Sequence, residues 1–250
     1  MVKTPRQKIR HAIEKRHKPP TQIWKKLGMG LSCLCLAFVA GYATLWFLDP
    51  VNFPLTSVKL VGDKKHLTQQ SLYQIIIPEM KAGFFQLRVA RIRSKLLALP
   101  WVKQVDVRKI WPNQVVIRFE EHIPAALWGE KGLLSEQGVL FTPESLPTDL
   151  PVLPALQGPD GRSTGVWQQY LEMEKLLAPL DLHITHLALA PRGAWQLRLS
   201  NGTTILLGTH DIMTRLNRFA RVYRKHFEAK QSQMAYVDLR YTSGMAVGWK

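Results

Sequence analysis

The sequence predicts an α+β protein: a single transmembrane helix, a βααββ domain, and a mixed β domain with flanking helices. Three observations carry that prediction. Leu27 to Leu48 is free of charge and dominated by Leu, Cys, Ala, Phe, Val, Tyr and Trp. Between Leu55 and Ile123, alternating and helical apolar patterns follow in the order strand, helix, helix, strand, strand. From Pro124 onward, short apolar runs alternate with Gly and Pro turns around two helical patterns. The expected units are a basic tail over 1–26, a membrane span over 27–48, a first domain over 55–123 and a second over 124–250.

The tail holds nine basic side chains against Glu14 alone, so half of the formal net charge of +16 lies in the first 26 residues. Such charge calls for an acidic partner surface. Nucleic acid is the rival to lipid, but the tail lacks the interleaved aromatics on which single strands stack, and no nucleic acid is expected. The segment that follows explains the charge better. At about 1.5 Å per residue, 27–48 crosses a hydrocarbon core of about 30 Å. Lys25 and Lys26 flank its start, Asp49 and Pro50 its end, and no Lys or Arg follows until Lys59. The positive-inside rule then puts the N-terminus in the cytoplasm and everything after Asp49 outside, a single-pass type II inner-membrane topology. Trp24 and Trp46 lie near the two ends, where indoles favour the interface.

A cleaved signal peptide is the alternative, with Gly41-Tyr42-Ala43 as a weak cleavage site. Its apolar region ordinarily runs about 7–15 residues; here Leu45 to Leu48 continue the run, so an uncleaved anchor is expected. Ala37 and Gly41 have helix-packing spacing, a pattern too common in spans to weigh. Both cysteines, Cys33 and Cys35, lie in the span. The exported part therefore relies on its apolar core and not on disulfides.

In the first domain, Ser57 to Gly62 alternates and stops at a Gly-Asp turn, as a strand does. Thr68 opens a helix expected to end at Ile77, before Pro78. A second helix fits Leu87 to Leu99, with Val89, Ile92, Leu96 and Leu99 on one face. Trp101 to Lys109 reads as a strand, Trp111-Pro112-Asn113 as a turn, and Gln114 to Glu121 as the clearest strand. Three strands covered by two helices make a complete two-layer core, so 55–123 is expected to fold alone.

In the second domain, Leu133–Ser135 and Val139–Phe141 are expected as short strands, and Pro143–Gly161 as a Pro-rich connector. Val166, Tyr170, Met173 and Leu177 keep helical spacing. His183–Ala190, Trp195–Ser200 and Thr203–Leu207 read as strands, the last two joined at Asn201-Gly202, where both residues tolerate positive φ. Asp211 opens a long helix with Ile212, Leu216, Phe219, Val222 or Tyr223, and Phe227 inward. Its Arg215, Arg218, Arg221, Arg224 and Lys225 suit the helix dipole and read as a solvated face. Strands near Ala235–Arg240 and Met245–Trp249 follow.

No catalytic constellation stands out. Serine-nucleophile signatures are absent, and the exported part has no cysteine for thiol chemistry. His183 and His186, three apart on a strand, face opposite ways, and zinc needs three or four convergent ligands. Glu120 and Glu121 read as a solvated strand end, and no metal or cofactor is expected.

Several runs together resemble one family. They are Leu99 to Pro112 (LPWVKQVDVRKIWP), Gln157 to Gly161 (QGPDG), Trp195-Gln196-Leu197 and, most densely, Tyr236 to Trp249 (YVDLRYTSGMAVGW). They resemble the FtsQ/DivIB family of bacterial cell-division proteins, the first run resembling the end of that family's POTRA domain. The resemblance implies a non-catalytic scaffold at the septum of the inner membrane. Such a scaffold links early and late divisome proteins and regulates septal wall synthesis by binding FtsB and FtsL through its β domain. The positions matching the family's contact are Tyr241, Ser243, Gly244, Gly248 and Trp249. An arginine that the family has before the Trp195 strand aligns with Gly193; either the neighbouring Arg192 carries its role or the role is absent.

The residues support that site in their own right. A strand near the chain end tends to form a sheet edge, whose unpaired N–H and C=O groups accept another strand. Tyr241 and Trp249 are the residue types that anchor interfaces. Two other classes compete. A transport-type POTRA protein would need a C-terminal barrel of strands of about ten residues, which is missing. A membrane-tethered cell-wall enzyme would need a cleft with convergent carboxylates or a serine–base pair.

Overall fold

The computed structural model describes residues 21–63 and 65–250; of the basic tail expected over 1–26, residues 1–20 lie outside them. The first element, α1 (Thr21–Leu48), is one helix of 28 residues. It begins ahead of the expected span because nothing between Thr21 and Lys26 breaks a helix. Gly28 to Leu48 is long and apolar enough to cross a membrane, and none of it is buried against the chain.

The first domain runs β1 (Ser57–Val61), α2 (Gln69–Met80), α3 (Gly83–Gln86), α4 (Val89–Leu97), β2 (Val102–Ile110) and β3 (Gln114–Glu121). The central strand is β3, parallel to β1 and antiparallel to β2. The expected order holds, with the single-turn α3 added. Pro78 does not stop α2, which continues to Met80. Ile76 is buried and Met80 packs on the core, and that packing holds the last turn past the missing N–H.

The second domain comprises β4 (Pro124–Trp128), β5 (Gly132–Ser135), β6 (Leu140–Phe141), β7 (Ala155–Gln157), α5 (Ser163–Leu177), β8 (Ile184–Leu189), β9 (Trp195–Leu199), β10 (Thr204–Gly208), α6 (Ile212–His226), β11 (Met234–Asp238) and β12 (Ala246–Trp249). Its nine strands form one sheet in the order β12-β11-β10-β9-β8-β7-β4-β5-β6. The parallel pairs β7–β8 and β10–β11 are bridged by α5 and α6, the long crossover such a pair requires. Val166, Met173 and Leu177 of α5 and Leu216, Phe219 and Tyr223 of α6 join one core with Leu187, Leu197, Ile205 and Val237. Alternate residues, among them Gln157, Gln196, Arg198 and Tyr236, stand exposed on the face away from the helices.

One expectation is corrected here, and another, the hairpin at Asn201-Gly202, forms as expected with its loop geometry now defined. The Pro143–Gly161 connector contains β7, an interior strand parallel to both neighbours. Three residues with only Leu156 buried are too short to display a period. At Asn201-Gly202 only Gly202 takes positive φ, at 86°. Gly202 N–H donates to the Leu199 carbonyl, Leu199 N–H to the Thr203 carbonyl, and the Asn201 side chain accepts from Thr203 N–H. That is the three-residue hairpin loop with glycine at its left-handed position.

Candidate functional site

The nine-stranded sheet has two edges. One is β6, two residues long; the other is β12, four residues that among the described residues pair with β11 alone. Alternate N–H and C=O groups of β12 therefore point away from the sheet. Across the ladder Tyr236 opposes Gly248, Val237 opposes Val247 and Asp238 opposes Ala246. A Cβ on Gly248 would run into the Tyr236 ring, so this glycine has a structural reason: it lets the ring lie over the edge strand.

The segment between β11 and β12 is fastened from below. Arg218, on α6, donates from Nη1 to the Thr242 carbonyl at 2.6 Å and from Nη2 to those of Tyr241 and Leu239 at 2.8 and 3.3 Å. Asp238 binds the Arg240 guanidinium through both carboxylate oxygens and accepts the Arg240 N–H as well. That hydrogen-bonded arginine holds the Asp238 carboxyl below the usual carboxylate range. The backbone of 238–242 is thus fixed from both sides while the Tyr241 side chain is 58% exposed.

The sequence-predicted residues divide into two places. Tyr241, Ser243 and Gly244 lie at the end of β12 nearest Asp238; Trp249 lies at the other, opposite Met234. The Trp249 ring is 49% exposed and 6.5 Å from that of Phe227. At Gly244 an added Cβ would meet open space, so nothing in the fold demands glycine there. Arg192 is exposed in the hairpin between β8 and β9. Since Trp195 pairs with Gly208 and Leu206 with Asp238, this hairpin shares the Tyr241 end of the sheet. It lines a hollow of about 500 Å³ together with Arg240. Gly193 has φ +82°, a conformation unfavourable to arginine, and the neighbouring Arg192 is exposed beside it.

Arg218 was not legible as a site residue. A cation on an amphipathic helix reads as solvated, and only the fold brings residues 239–242 over it. Arg215 also leaves the expected solvated face, donating to the Leu207 carbonyl, while Arg224 stays exposed as expected and donates to that of Pro179. Glu121 is likewise not a solvated strand end, since its carboxylate accepts the backbone N–H groups of His66 and Leu67. His183 lies just outside β8 with Nδ1 2.7 Å from Glu174. Among the described residues no three His, Cys, Asp or Glu side chains converge as metal ligands do.

Comparison with known proteins agrees with this architecture. Residues 53–122 match the POTRA domain model of FtsQ type, and residues 126–240 match the model of the C-terminal region of cell division protein FtsQ/DivIB. The chain is similar to cell division protein FtsQ of Coxiella burnetii, 33% identical over 96% of this chain and 98% of the relative. It is 34% identical to that of Escherichia coli over 88% of this chain and 82% of the relative. With the Xanthomonas campestris protein identity is 38%, over 78% of this chain and 70% of the relative.

Proposed function

The chain belongs to the FtsQ/DivIB family of cell-division proteins, and from that premise we propose that it is a non-catalytic divisome scaffold that binds FtsB and FtsL through β12. The observation that carries this reading is the free edge of β12, with Tyr241 and Trp249 exposed at its two ends. Strand addition there satisfies the unpaired backbone groups of the edge, and side chains in flanking positions select the partner. Tyr241 and Trp249 are the anchors, Ser243 and Gly244 the loop contact, and Arg192 the charged contact at the Tyr241 end. By engaging these partners the scaffold links early and late division proteins at the septum and regulates septal wall synthesis. In this reading α1 is an uncleaved anchor with residues after Asp49 in the periplasm. Reporter fusions after Asp49 are then active outside the cytoplasm; a mature chain beginning near Thr44 would mark a signal peptide instead.

The test is a titration of the exported region with peptides of FtsB and FtsL, alongside thermal melts. Truncating a buried interface aromatic costs about 2 kcal/mol or more, roughly thirtyfold in affinity. Trp249→Ala and Tyr241→Ala should each weaken binding by at least about that factor with the melt preserved. Unchanged binding with an intact melt removes the edge as the site. A collapsed melt makes the aromatics structural.

A further inference from the structure

No free linker separates the apolar helix from the first domain. Gln86 Nε2 donates to the Leu48 carbonyl at 2.5 Å, and Asn52 Nδ2 to the Trp46 carbonyl at 2.9 Å. The Phe53 ring stacks on Phe47 at 5.4 Å and meets Phe85 edge-on at 5.0 Å. Gly83, with φ +75°, lets Pro50 approach where a Cβ would lie 2.8 Å from the proline Cα. The end of α1 is therefore built into the domain through α3.

The β2–β3 hairpin turns at this same end. Ser57, the first residue of β1, pairs with Gln114. Thr56 and Ser57 N–H both donate to the Asn113 carbonyl. Lys109 Nζ donates to the Phe84 carbonyl at 3.0 Å. Three segments thus converge beside the end of α1: the 49–53 turn, α3 and the hairpin tip.

Each of them turns apolar side chains to solvent. Val51 is 82% exposed, Trp111 70%, Ile110 47% and Phe85 40%. Single exposed apolar residues need no explanation, but four on three converging segments do. Lys81 and Arg88 are exposed alongside. Aromatic and aliphatic tips flanked by cations are the composition that seats at lipid headgroup depth, and this set adjoins the end of a segment long and apolar enough to span a bilayer.

We propose that the first domain docks this end on the bilayer that holds α1, inserting Trp111, Ile110, Phe85 and Val51 at headgroup level with Lys81 and Arg88 against lipid phosphate. The domain then stands in one orientation on the membrane instead of swinging from a tether. This rests on α1 being a membrane span.

The experiment uses the full chain in nanodiscs of phosphatidylcholine and phosphatidylglycerol, with single cysteines carrying a bimane label. Trp111→Cys, Phe85→Cys and Val152→Cys are made in the Cys33→Ser/Cys35→Ser background, and Cys35 is labelled in Cys33→Ser. Each variant is checked by thermal melt, with Val51→Cys replacing Phe85→Cys if the latter perturbs the fold. Labels at 111 and 85 should be quenched at least threefold more than the label at 152 by lipid bearing a shallow nitroxide, and shielded from iodide. The position at 152 is the aqueous reference, since Val152 is fully exposed. If 111 and 85 match 152 while Cys35 is quenched by a deep nitroxide, the docking is wrong and the span is right. If Cys35 also escapes quenching, the span reading fails and the docking with it.

Discussion

His122 follows β3, and its ring stacks on Phe141 with centroids 5.0 Å apart. Its Nδ1 is buried without a hydrogen-bond partner among the described residues. Burial, reinforced by the positive charge of Lys103, pushes its pKa below the ordinary 6.5. The folded chain then takes up this proton less readily than the unfolded chain, so stability is full above pH 6.5 and is lost as pH falls through the depressed value. His122→Phe keeps an aromatic against Phe141 and removes the proton. Its urea midpoint should be flatter than the parent's just below pH 6.5; parallel profiles would discount the burial. The carboxyls of Glu79 and Asp238, held low by hydrogen bonds from Lys95 and Arg240, give way only below their ordinary 4.5 and 3.8, so the two steps are separable. None of this was legible in the sequence, because a histidine after a strand gives no sign of what folds over it.

At the scale of elements, long periodic segments were readable and short ones were not. The alternation of β3 and the helical spacing in α5 and α6 come from many residues facing one core. By contrast β4 and β7 have five and three residues, and α3 is a single turn. Their identity comes from neighbours far along the chain. The same holds for the segment leading into β12, whose exposed motif residues could be read while its support on α6 could not. Hydrogen bonds to a charged group contribute about 1.5–3 kcal/mol, and Arg218 makes three to this segment. Arg218→Ala should therefore cost roughly 2 kcal/mol of stability and speed amide exchange across 239–245. Arg218→Lys should restore little, because a point charge cannot reproduce the fork. Exchange unchanged in both variants would show that the segment holds itself.

For the whole molecule the question is whether the two domains are two folding units. The matched family regions meet with residues 123–125 between them, and the helices and strands of the first domain bury Ile76, Ile92, Leu96, Val115 and Ile117 between them. Yet Leu133 and Phe141 of the second domain are buried in that same core, with Leu127, Leu150 and Leu153 packed against it. Phe141 lies between His122 and Trp101, 5.1 Å from the latter, and Trp101 stacks on His66 at 4.0 Å. A row of four rings thus crosses the boundary. Excised, 55–123 should still unfold cooperatively, since its own layers are intact, but at lower temperature than in the exported region, because Trp101 loses its cover. Truncating a buried phenylalanine costs about 3–5 kcal/mol. Here the loss falls on the contact between units, so Phe141→Ala should split one calorimetric transition of the exported region into two. A single transition at reduced temperature would mean that the backbone connection and the Leu127, Leu150 and Leu153 contacts suffice to couple the domains without the ring.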